Sequence, residues 1–403
     1  METSTPTCPL VHDRPFDPLD PQQAGDPYPW LAKAQRETPV FYMPDYDLWC
    51  ITRYDDVLDV VRDTDTYSSR NVVPLPPGSP PSLVTADPPV HTRLRKLAQK
   101  GFTPRLIAER EPEVGALCDR LVDAFVDDGR CDFVSQYAER LPAQSITLVV
   151  GASLDRVDDF RQWAHDRIAL LAPHLTDEER EAAQARMQAF KEWLRDFVEE
   201  RRATPRDDVT SGLVHATTDD GQPALSTDEV IGIIGTILSA GSSTTANLLP
   251  VVVRELLRHA DQWAELRSDR SLTSAAVEEG LRFITSVRGI IRTTNREVQI
   301  AGVTIPKDAN LYLHFGVAQR DPSVFPDPET FDIHRDNLRR HFAFGKWNHI
   351  CLGAPLARLE TRLTVECLLD RLPGLRLAPN QDEEWEPSLL TPGLRSLILE
   401  WDV

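Results

Sequence analysis

Apolar residues recur at helical spacing between charged residues over roughly residues 105–200, and residues 181–197 show this pattern most clearly. Residues 230–257 are instead apolar nearly all round, which is typical of a helix buried through a protein core. Ser226 and Glu229 precede that run with the spacing of a capping box, so we expect the long helix to begin there.

Strand-like segments are few and lie mostly late in the chain. β-branched and aromatic residues cluster at 298–305 and 311–315, and an early strand around Trp49 is followed by a predicted helix from Tyr54. The whole pattern predicts a mainly α fold with a minor β region. Polar, Gly- or Pro-rich stretches predict connectors at residues 1–26, 71–82 and 207–223.

Composition narrows the range of partners. The 403 residues carry 44 Lys+Arg against 63 Asp+Glu, a net charge of −19. Such an acidic surface argues against nucleic acid and anionic membranes as partners. The scattered cysteines suit a reducing cytoplasm, and we expect neither a signal peptide nor a membrane anchor.

One cysteine is distinguished by its neighbours. Cys351 follows a short loop at the start of an apolar helix, where the helix N-terminus and donated N–H groups stabilise the metal-binding thiolate. Gly345 and Gly353 can let the backbone approach the sulfur closely. No second cysteine lies nearby, so zinc and iron–sulfur sites fit poorly, whereas one axial thiolate to haem iron fits well. Taken alone, a buried structural cysteine is the more common case.

Four motifs that follow one another along the chain favour the haem ligand over the structural cysteine. They are Asp87-Pro-Pro-Val-His-Thr-Arg-Leu-Arg95, Ala240-Gly-Ser-Ser-Thr-Thr245, Glu279-Gly-Leu-Arg282 and Phe344-Gly-Lys-Trp-Asn-His-Ile-Cys-Leu-Gly353. Together they resemble the cytochrome P-450 family of soluble, bacterial, natural-product tailoring type, over essentially the whole chain. The resemblance implies a triangular prism with haem between the long central helix and the Cys-loop helix. It also implies one haem-thiolate oxidase domain over residues 1–403, with a helix-rich lobe and a small β-rich lobe.

The resemblance also assigns site residues. Cys351 becomes the axial ligand of haem b, and Thr244 the proton-relay residue beside the oxygen-binding groove formed with Ala240, Gly241 and Ser243. Other implied haem contacts are His91, Arg95, Arg292, Phe344, His349 and Gly353. Implied pocket residues are Val73, Leu83, Ile237, Ala240, Val287, Gly289, Ile290 and Leu390. The plainer alternatives are a helix-packing notch at 240–245, a solvated basic face at His91 and Arg95, and ordinary core packing for the pocket residues.

Glu279, Arg282 and Arg335 are assigned to a folding trio without a chemical role. The chain departs from the family pattern at four positions. Ser243 replaces an acid beside the relay threonine, and Trp347 replaces a glycine in the Cys loop, so its indole must point away or the loop must swing. Val90 and Ser286 stand where an acid and a proline are usual. Pro250, inside the long helix, removes one backbone hydrogen bond.

These features predict a cytoplasmic, monomeric oxidoreductase that inserts oxygen from O2 into a small organic or natural-product substrate. Electrons would come from a ferredoxin and a ferredoxin reductase, since we expect no reductase domain in this chain. One alternative is oxidative intramolecular C–N or C–C coupling without oxygen insertion, for which the missing acid at Ser243 is the motive. A peroxide-driven enzyme and a haem-binding partner module are further alternatives, and the intact Thr244 argues against the module.

Overall fold

The computed structural model describes residues 5–73, 82–170, 175–218 and 220–403. Most of the proline-rich connector predicted at 71–82 lies outside these ranges. The predicted connector at 207–223 is wrong in part, because residues Val209–Val214 form a short helix that Asp208 caps through its side chain.

Helices make up most of the described chain, as predicted. The α-helices are α1 (Pro21–Ala24), α2 (Tyr28–Glu37), α3 (Tyr54–Arg62), α4 (Val90–Ala98), α5 (Pro104–Ala108), α6 (Glu111–Asp123), α7 (Arg140–Val150), α8 (Val157–Ala169), α9 (Asp177–Ala203), α10 (Val209–Val214), α11 (Thr227–Arg258), α12 (Ala260–Ser268), α13 (Thr273–Phe283), α14 (Phe315–Ala318) and α15 (Ala354–Arg371). Short 3₁₀ segments join several of them, one of which is Trp347–His349.

The long helix α11 begins where the sequence predicts. The Ser226 side chain accepts from the Glu229 N–H and the Glu229 side chain accepts from the Ser226 N–H, a complete capping box. The helix continues through Pro250 to Arg258. It is long and apolar enough to cross a membrane, yet 67% of its apolar window is buried inside the fold, as in a core helix.

The strands are short and form small sheets. They are β1 (Val40–Met43), β2 (Leu48–Ile51), β3 (Tyr67–Ser68), β4 (Arg130–Asp132), β5 (Ile290–Thr294), β6 (Val298–Ile300), β7 (Val303–Ile305), β8 (Asn310–Leu313), β9 (Arg376–Leu377), β10 (Trp385–Glu386), β11 (Gly393–Leu394) and β12 (Ile398–Glu400). The largest sheet has the order β1-β2-β8-β5-β3, in which β2 and β8 are parallel and the other pairs antiparallel. This sheet and α3 share one hydrophobic cluster, whereas the largest cluster surrounds α6, α7, α11 and α15.

A buried ion pair ties α13 to the segment before the Cys loop. Arg282 donates through Nε and Nη2 to the two carboxylate oxygens of Glu279, both at 2.7 Å, and both side chains are fully buried. Arg282 also donates to the carbonyls of Pro328 and Thr330, and Arg335 Nε lies 3.5 Å from Glu279. The predicted trio is therefore assembled, and the extra carbonyl partners satisfy the buried guanidinium.

Candidate functional site

A cavity of about 290 Å³ is lined by α11, by the loop before α15 and by the first turns of α15. The wall contributed by α11 includes Ile237, Ala240, Gly241, Thr244 and Leu248. Each of these positions lies three or four residues from another of them, so they form one face of the helix. The opposite wall holds Cys351, which is exposed to the cavity.

The loop holds Cys351 by backbone hydrogen bonds. The Cys351 N–H donates to the Phe344 carbonyl at 2.7 Å, which closes the loop across the residues between them. Burial raises the pKa of the Cys351 thiol, while the N–H groups of Gly353 and Ala354 and the charges of Arg95 and Arg358 lower it. The start of α15 therefore supplies the donors that favour a thiolate.

Two residues in the loop adopt left-handed backbone conformations. Gly345 has φ +64°, and a Cβ there would lie 3.3 Å from the His349 carbonyl oxygen, so glycine suits the position. Trp347 has φ +56° and is 54% exposed. Its indole points away from the cavity, as one sequence-based alternative required, and the Arg62 guanidinium lies 5.5 Å from the ring centroid.

Cations and histidines gather at another edge of the cavity. The rings of His91 and His349 lie 4.0 Å apart, and Arg95 and Arg292 line the cavity beside His349. Burial and the charges of Arg292, His91 and Arg95 together lower the pKa of His349 to about 3, with burial the largest cause. Burial also lowers the pKa of Arg292 to about 10.

Within the described chain the charge of Asp87 acts on Arg292 and His91, but it forms no ion pair with either. Neither Arg95 nor Arg292 takes part in a salt bridge among the described residues, and the buried Nε2 of His91 has no hydrogen-bond partner there. Buried cations without partners are costly, and Arg pairs well with carboxylates. A haem carries two propionates and accepts an axial thiolate, so Cys351 and this cluster fit haem.

Hydroxyl groups along α11 bond back to the helix. Thr244 Oγ1 donates to the Ala240 carbonyl at 2.8 Å, and Ser243 Oγ donates to the Ser239 carbonyl at 3.1 Å. A Cβ on Gly241 would lie 2.7 Å from Ile146 Cγ1, so this glycine allows α7 to pack closely. The packing notch and a cavity-facing groove therefore occur at the same turn of the helix.

The structure brings most of the predicted residues to one cavity. Those that line it are Leu83, Arg95, Ile237, Ala240, Gly241, Thr244, Val287, Ile290, Arg292, Phe344, His349, Cys351 and Gly353. The other predicted residues do not line this cavity; they are Val73, His91, Ser243, Gly289 and Leu390. Val72 takes the place of Val73, and Leu390 packs in another cluster.

Sequence reasoning missed two carboxyl groups near the site. Burial raises the pKa of Glu278, but hydrogen bonds from His341 and Arg358 outweigh burial and hold that pKa at about 2. His341 Nδ1 accepts from the Ala343 N–H, so Nε2 carries the proton that reaches Glu278 at 3.1 Å. The second group, Glu360, lines the cavity from α15. Glu278 could have been found from the sequence, because it directly precedes Glu279 of the predicted trio. Glu360 could not, because the helix that carries it has no distinctive sequence pattern.

Comparison with known proteins gives consistent matches. The chain matches the family model described as Cytochrome P450 over residues 26–397. It is 33% identical over 377 residues to a steroid C26-monooxygenase of Mycobacterium tuberculosis, a match that covers 93% of each protein. It is 34% identical over 395 residues to the 6-deoxyerythronolide B hydroxylase of Saccharopolyspora erythraea, covering 93% of this chain and 95% of the relative. Among solved structures, cytochrome P450 CYP109Q5 from Chondromyces apiculatus superposes with a TM-score of 0.87 at 34% identity, over 96% of this chain and 98% of that chain.

Proposed function

The chain belongs to the cytochrome P450 family, and on that premise we propose that Cys351 is the axial thiolate ligand of haem and that Thr244 passes protons into the cavity. The protein is a haem-thiolate monooxygenase that oxidises an organic substrate with O2 and electrons from redox partners. Oxidative coupling without oxygen insertion is not favoured. The observation that supports these residue roles is the single cavity that Cys351 and Thr244 share.

Arg95, Arg292, His91 and His349 would hold the haem propionates, because the two arginines form no ion pair within the described chain and the buried His91 Nε2 has no hydrogen-bond partner there. When bound, haem supplies the redox chemistry, and a thiolate ligand favours cleavage of the O–O bond. Burial raises the pKa of the Cys351 thiol, and the donors at the start of α15 and the nearby arginines offset part of that rise, which favours the thiolate that haem iron would bind.

Thr244 is placed to move a proton but not to store one. Its hydroxyl donates to Ala240 and its oxygen faces the cavity, so it can accept a proton from one neighbour and release its own to another. Ser243 donates to Ser239 and does not line the cavity, so it contributes little to this exchange. A hydroxyl has no readily lost proton at neutral pH, and the site therefore needs another acid.

We place the substrate against the apolar cavity wall formed by Leu83, Ile237, Val287 and Ile290. Relatives named for a steroid and for 6-deoxyerythronolide B support a bulky, largely apolar substrate. Such a ligand suits a cavity whose polar groups are few and fixed.

Spectroscopic titration with steroids and macrocyclic natural products tests this placement. Ile290 and Ile291 are adjacent on β5, but Ile290 lines the cavity whereas Ile291 packs against another cluster. Ile290→Ala should weaken binding of a hit about tenfold, in line with a buried apolar contact, and Ile291→Ala should not. Equal effects would reject the placement. A product that gains one oxygen atom from O2 supports monooxygenation, whereas loss of two hydrogen atoms alone would indicate coupling.

The redox partners are proposed to be an acidic ferredoxin and its reductase. Arg62 is exposed and lies over Trp347, four residues before Cys351 in the chain, and Arg339 and Arg340 are exposed in the segment that leads into the Cys loop. Lys346 lies beside them and donates to the Arg339 carbonyl at 3.2 Å. This local positive charge on an acidic chain suits an acidic partner.

Charge neutralisation tests the docking surface. Arg339→Gln should slow ferredoxin-dependent reduction and weaken its dependence on salt, while reduction by dithionite stays unchanged. Arg130→Gln, on the distant strand β4, is the matched control. Equal slowing in both variants would contradict this docking surface.

We also propose that residues 1–403 act as one haem domain, with helix-rich and β-rich lobes, and that the chain works as a cytoplasmic monomer. The bacterial relatives and the free cysteines of the described chain support this. Light scattering at micromolar concentration tests the oligomeric state, and a stable dimer would reject the monomer.

A further inference from the structure

Arg288 is a buried arginine that has no role in the function described so far. It lies two residues before β5, and only 5% of the residue is exposed. Its Nη1 donates to the Ala24 carbonyl at the end of α1. Its Nε and Nη2 are buried and have no hydrogen-bond partner among the described residues. A buried charge in this position is costly unless a partner neutralises it.

The other buried arginines of the described chain show what such a side chain requires. Four of them pair with carboxylates: Arg201 with Asp208, Arg254 with Glu255, Arg282 with Glu279 and Arg320 with Glu329. The fifth, Arg292, lines the cavity, where a haem propionate is its proposed partner. Arg288 forms no salt bridge with any described residue, so it alone among these six arginines has no anion assigned to it.

The unpaired nitrogens of Arg288 lie on one edge of its guanidinium. They correspond to the two nitrogens through which Arg282 binds both carboxylate oxygens of Glu279, each at 2.7 Å. This edge presents two N–H groups side by side, the geometry with which arginine binds anions. The edge of Arg288 therefore has the donors of an anion site without an acceptor from the described chain.

The surroundings of this guanidinium are mainly aromatic. Its central carbon lies 5.2 Å from the centroid of the Trp385 ring, but Arg254 lies at the same distance from that ring. One aromatic ring thus serves two cations, and its quadrupole does not neutralise a full charge. The charges that act most strongly on Arg288 are not carboxylates; they belong to Tyr28, Tyr312, Arg320 and Arg254.

His314 adds a neutral donor to this neighbourhood. Its Nδ1 accepts from the Val317 N–H at 3.1 Å, so its proton lies on Nε2. Burial and, to a lesser extent, the charge of Arg288 lower the pKa of His314, so the imidazole carries no charge at neutral pH. The positive charge that remains to be balanced is therefore the single charge of Arg288.

We propose that the edge formed by Nε and Nη2 of Arg288 binds a small monovalent anion, with chloride as the representative. One negative charge suffices, because the neighbouring Arg254 and Arg320 have carboxylate partners of their own. The ion must be small, because the guanidinium is buried among side chains and lies outside the large cavity. A halide can accept both N–H groups of the edge at once.

The site would support one wall of the substrate cavity. The Arg288 N–H donates to the Leu390 carbonyl at 2.8 Å, and its carbonyl accepts from the Gly316 N–H at 3.0 Å. Val287 and Ile290, which lie on either side of it in the chain, line the cavity. An anion that neutralises Arg288 therefore stabilises the segment that carries these two residues.

Thermal unfolding of the haem-loaded enzyme at constant ionic strength tests anion binding. Replacing gluconate by chloride, from about 1 mM to about 100 mM, should raise the apparent melting temperature by about 2–4 °C, because an ion that binds only the folded state stabilises it. Arg288→Met removes the donors and should abolish the rise. Arg254→Lys keeps a cation beside the same Trp385 ring and, as the matched control, should retain the rise. A wild-type melting temperature independent of chloride, or an equal rise in Arg288→Met, would overturn the proposal.

Crystals of the wild-type enzyme grown in bromide test the site without any variant. Bromide scatters anomalously, and we expect an anomalous peak within hydrogen-bond distance of both Nε and Nη2 of Arg288. Bromide peaks confined to the protein surface, or a water molecule at this edge in place of the halide, would overturn the proposal.

Discussion

The hydroxyl of Thr244 illustrates how one side chain depends on its helix. Its bond to the Ala240 carbonyl fixes the rotamer of a residue that lines the cavity. Ser243 lies one residue earlier, about 100° away around the helix, and does not line the cavity. The acid that the family pattern places at 243 would therefore need a different rotamer or a water to reach the same space.

We predict that Thr244→Ala lowers the product formed per electron pair, with the lost electrons appearing as hydrogen peroxide. Positioned proton transfer contributes about 10² or more in rate, so the change should be large. The measurement is the ratio of product to peroxide at fixed consumption of reductant. Thr244→Ser keeps the hydroxyl and should keep most of the product. Equal ratios in the wild type and both variants would contradict the relay role.

The sequence predicts individual residues well where a motif fixes the backbone. Cys351 and Arg292 line the cavity because a short loop and a strand hold them in register. Gly289, which directly precedes β5, does not line it and instead lies against the Tyr312 ring of β8, where a Cβ would have no room. Helical periodicity applied to 237–248 would have excluded Ser243 and placed Thr245 on the cavity face with Gly241 and Leu248.

At the scale of elements, α11 is held against α7 by the small residue at its centre. Gly241 has no room for a side chain, since its Cβ would lie 2.7 Å from Ile146. Gly232 lies on the same helix, and a Cβ there would meet nothing within 4 Å. The two glycines therefore differ in packing while sharing one helical context.

We predict opposite effects on stability when each glycine is replaced by alanine. Gly241→Ala should lower the free energy of unfolding by about 1–3 kcal/mol, because α7 must shift. Gly232→Ala should raise it by about 0.5–1 kcal/mol, because alanine is the better helix former. Apparent melting temperatures of the two variants provide the measurement. A stabilised Gly241→Ala would show that the notch is not tightly packed.

The bounds of α11 follow from its sequence because the capping box and the apolar run are local signals. The role of α15 cannot be read from its sequence, because apolar residues lie on all sides of the helix and do not show which side carries Glu360. Pairing of β2 with β8 is also beyond local signals, because Leu48 pairs with Asn310 across most of the chain.

At the scale of the whole molecule, buried histidines couple stability to pH. Burial lowers the pKa of His314 to about 3, and its Nδ1 accepts from the Val317 N–H at 3.1 Å. The unfolded chain binds a proton at this residue near its ordinary pKa of about 6.5. The folded state does so only near pH 3, so stability falls as the pH drops between these values.

We predict that His314→Asn reduces the slope of the free energy of unfolding against pH by up to about 1.4 kcal/mol per pH unit, the value for one proton. Asparagine can still accept from the Val317 N–H, so the helix cap is kept. The measurement is the apparent melting temperature from pH 6.5 down to 4. His334 provides a control, because its hydrogen bond with Glu265 raises its pKa, so that the folded and unfolded states both hold its proton below about pH 6.5. His334→Asn should therefore leave the slope below about pH 6.5 close to that of the wild type, and a His314→Asn slope equal to the wild type would contradict the prediction.

Thiolate binding of haem iron by Cys351 is tested by the carbon monoxide difference spectrum of the dithionite-reduced protein. We predict the red-shifted Soret band typical of carbonyl haem with an axial thiolate, and its loss in Cys351→Ala. A spectrum typical of a neutral axial ligand in the wild type, or a thiolate band that persists in Cys351→Ala, would contradict the account.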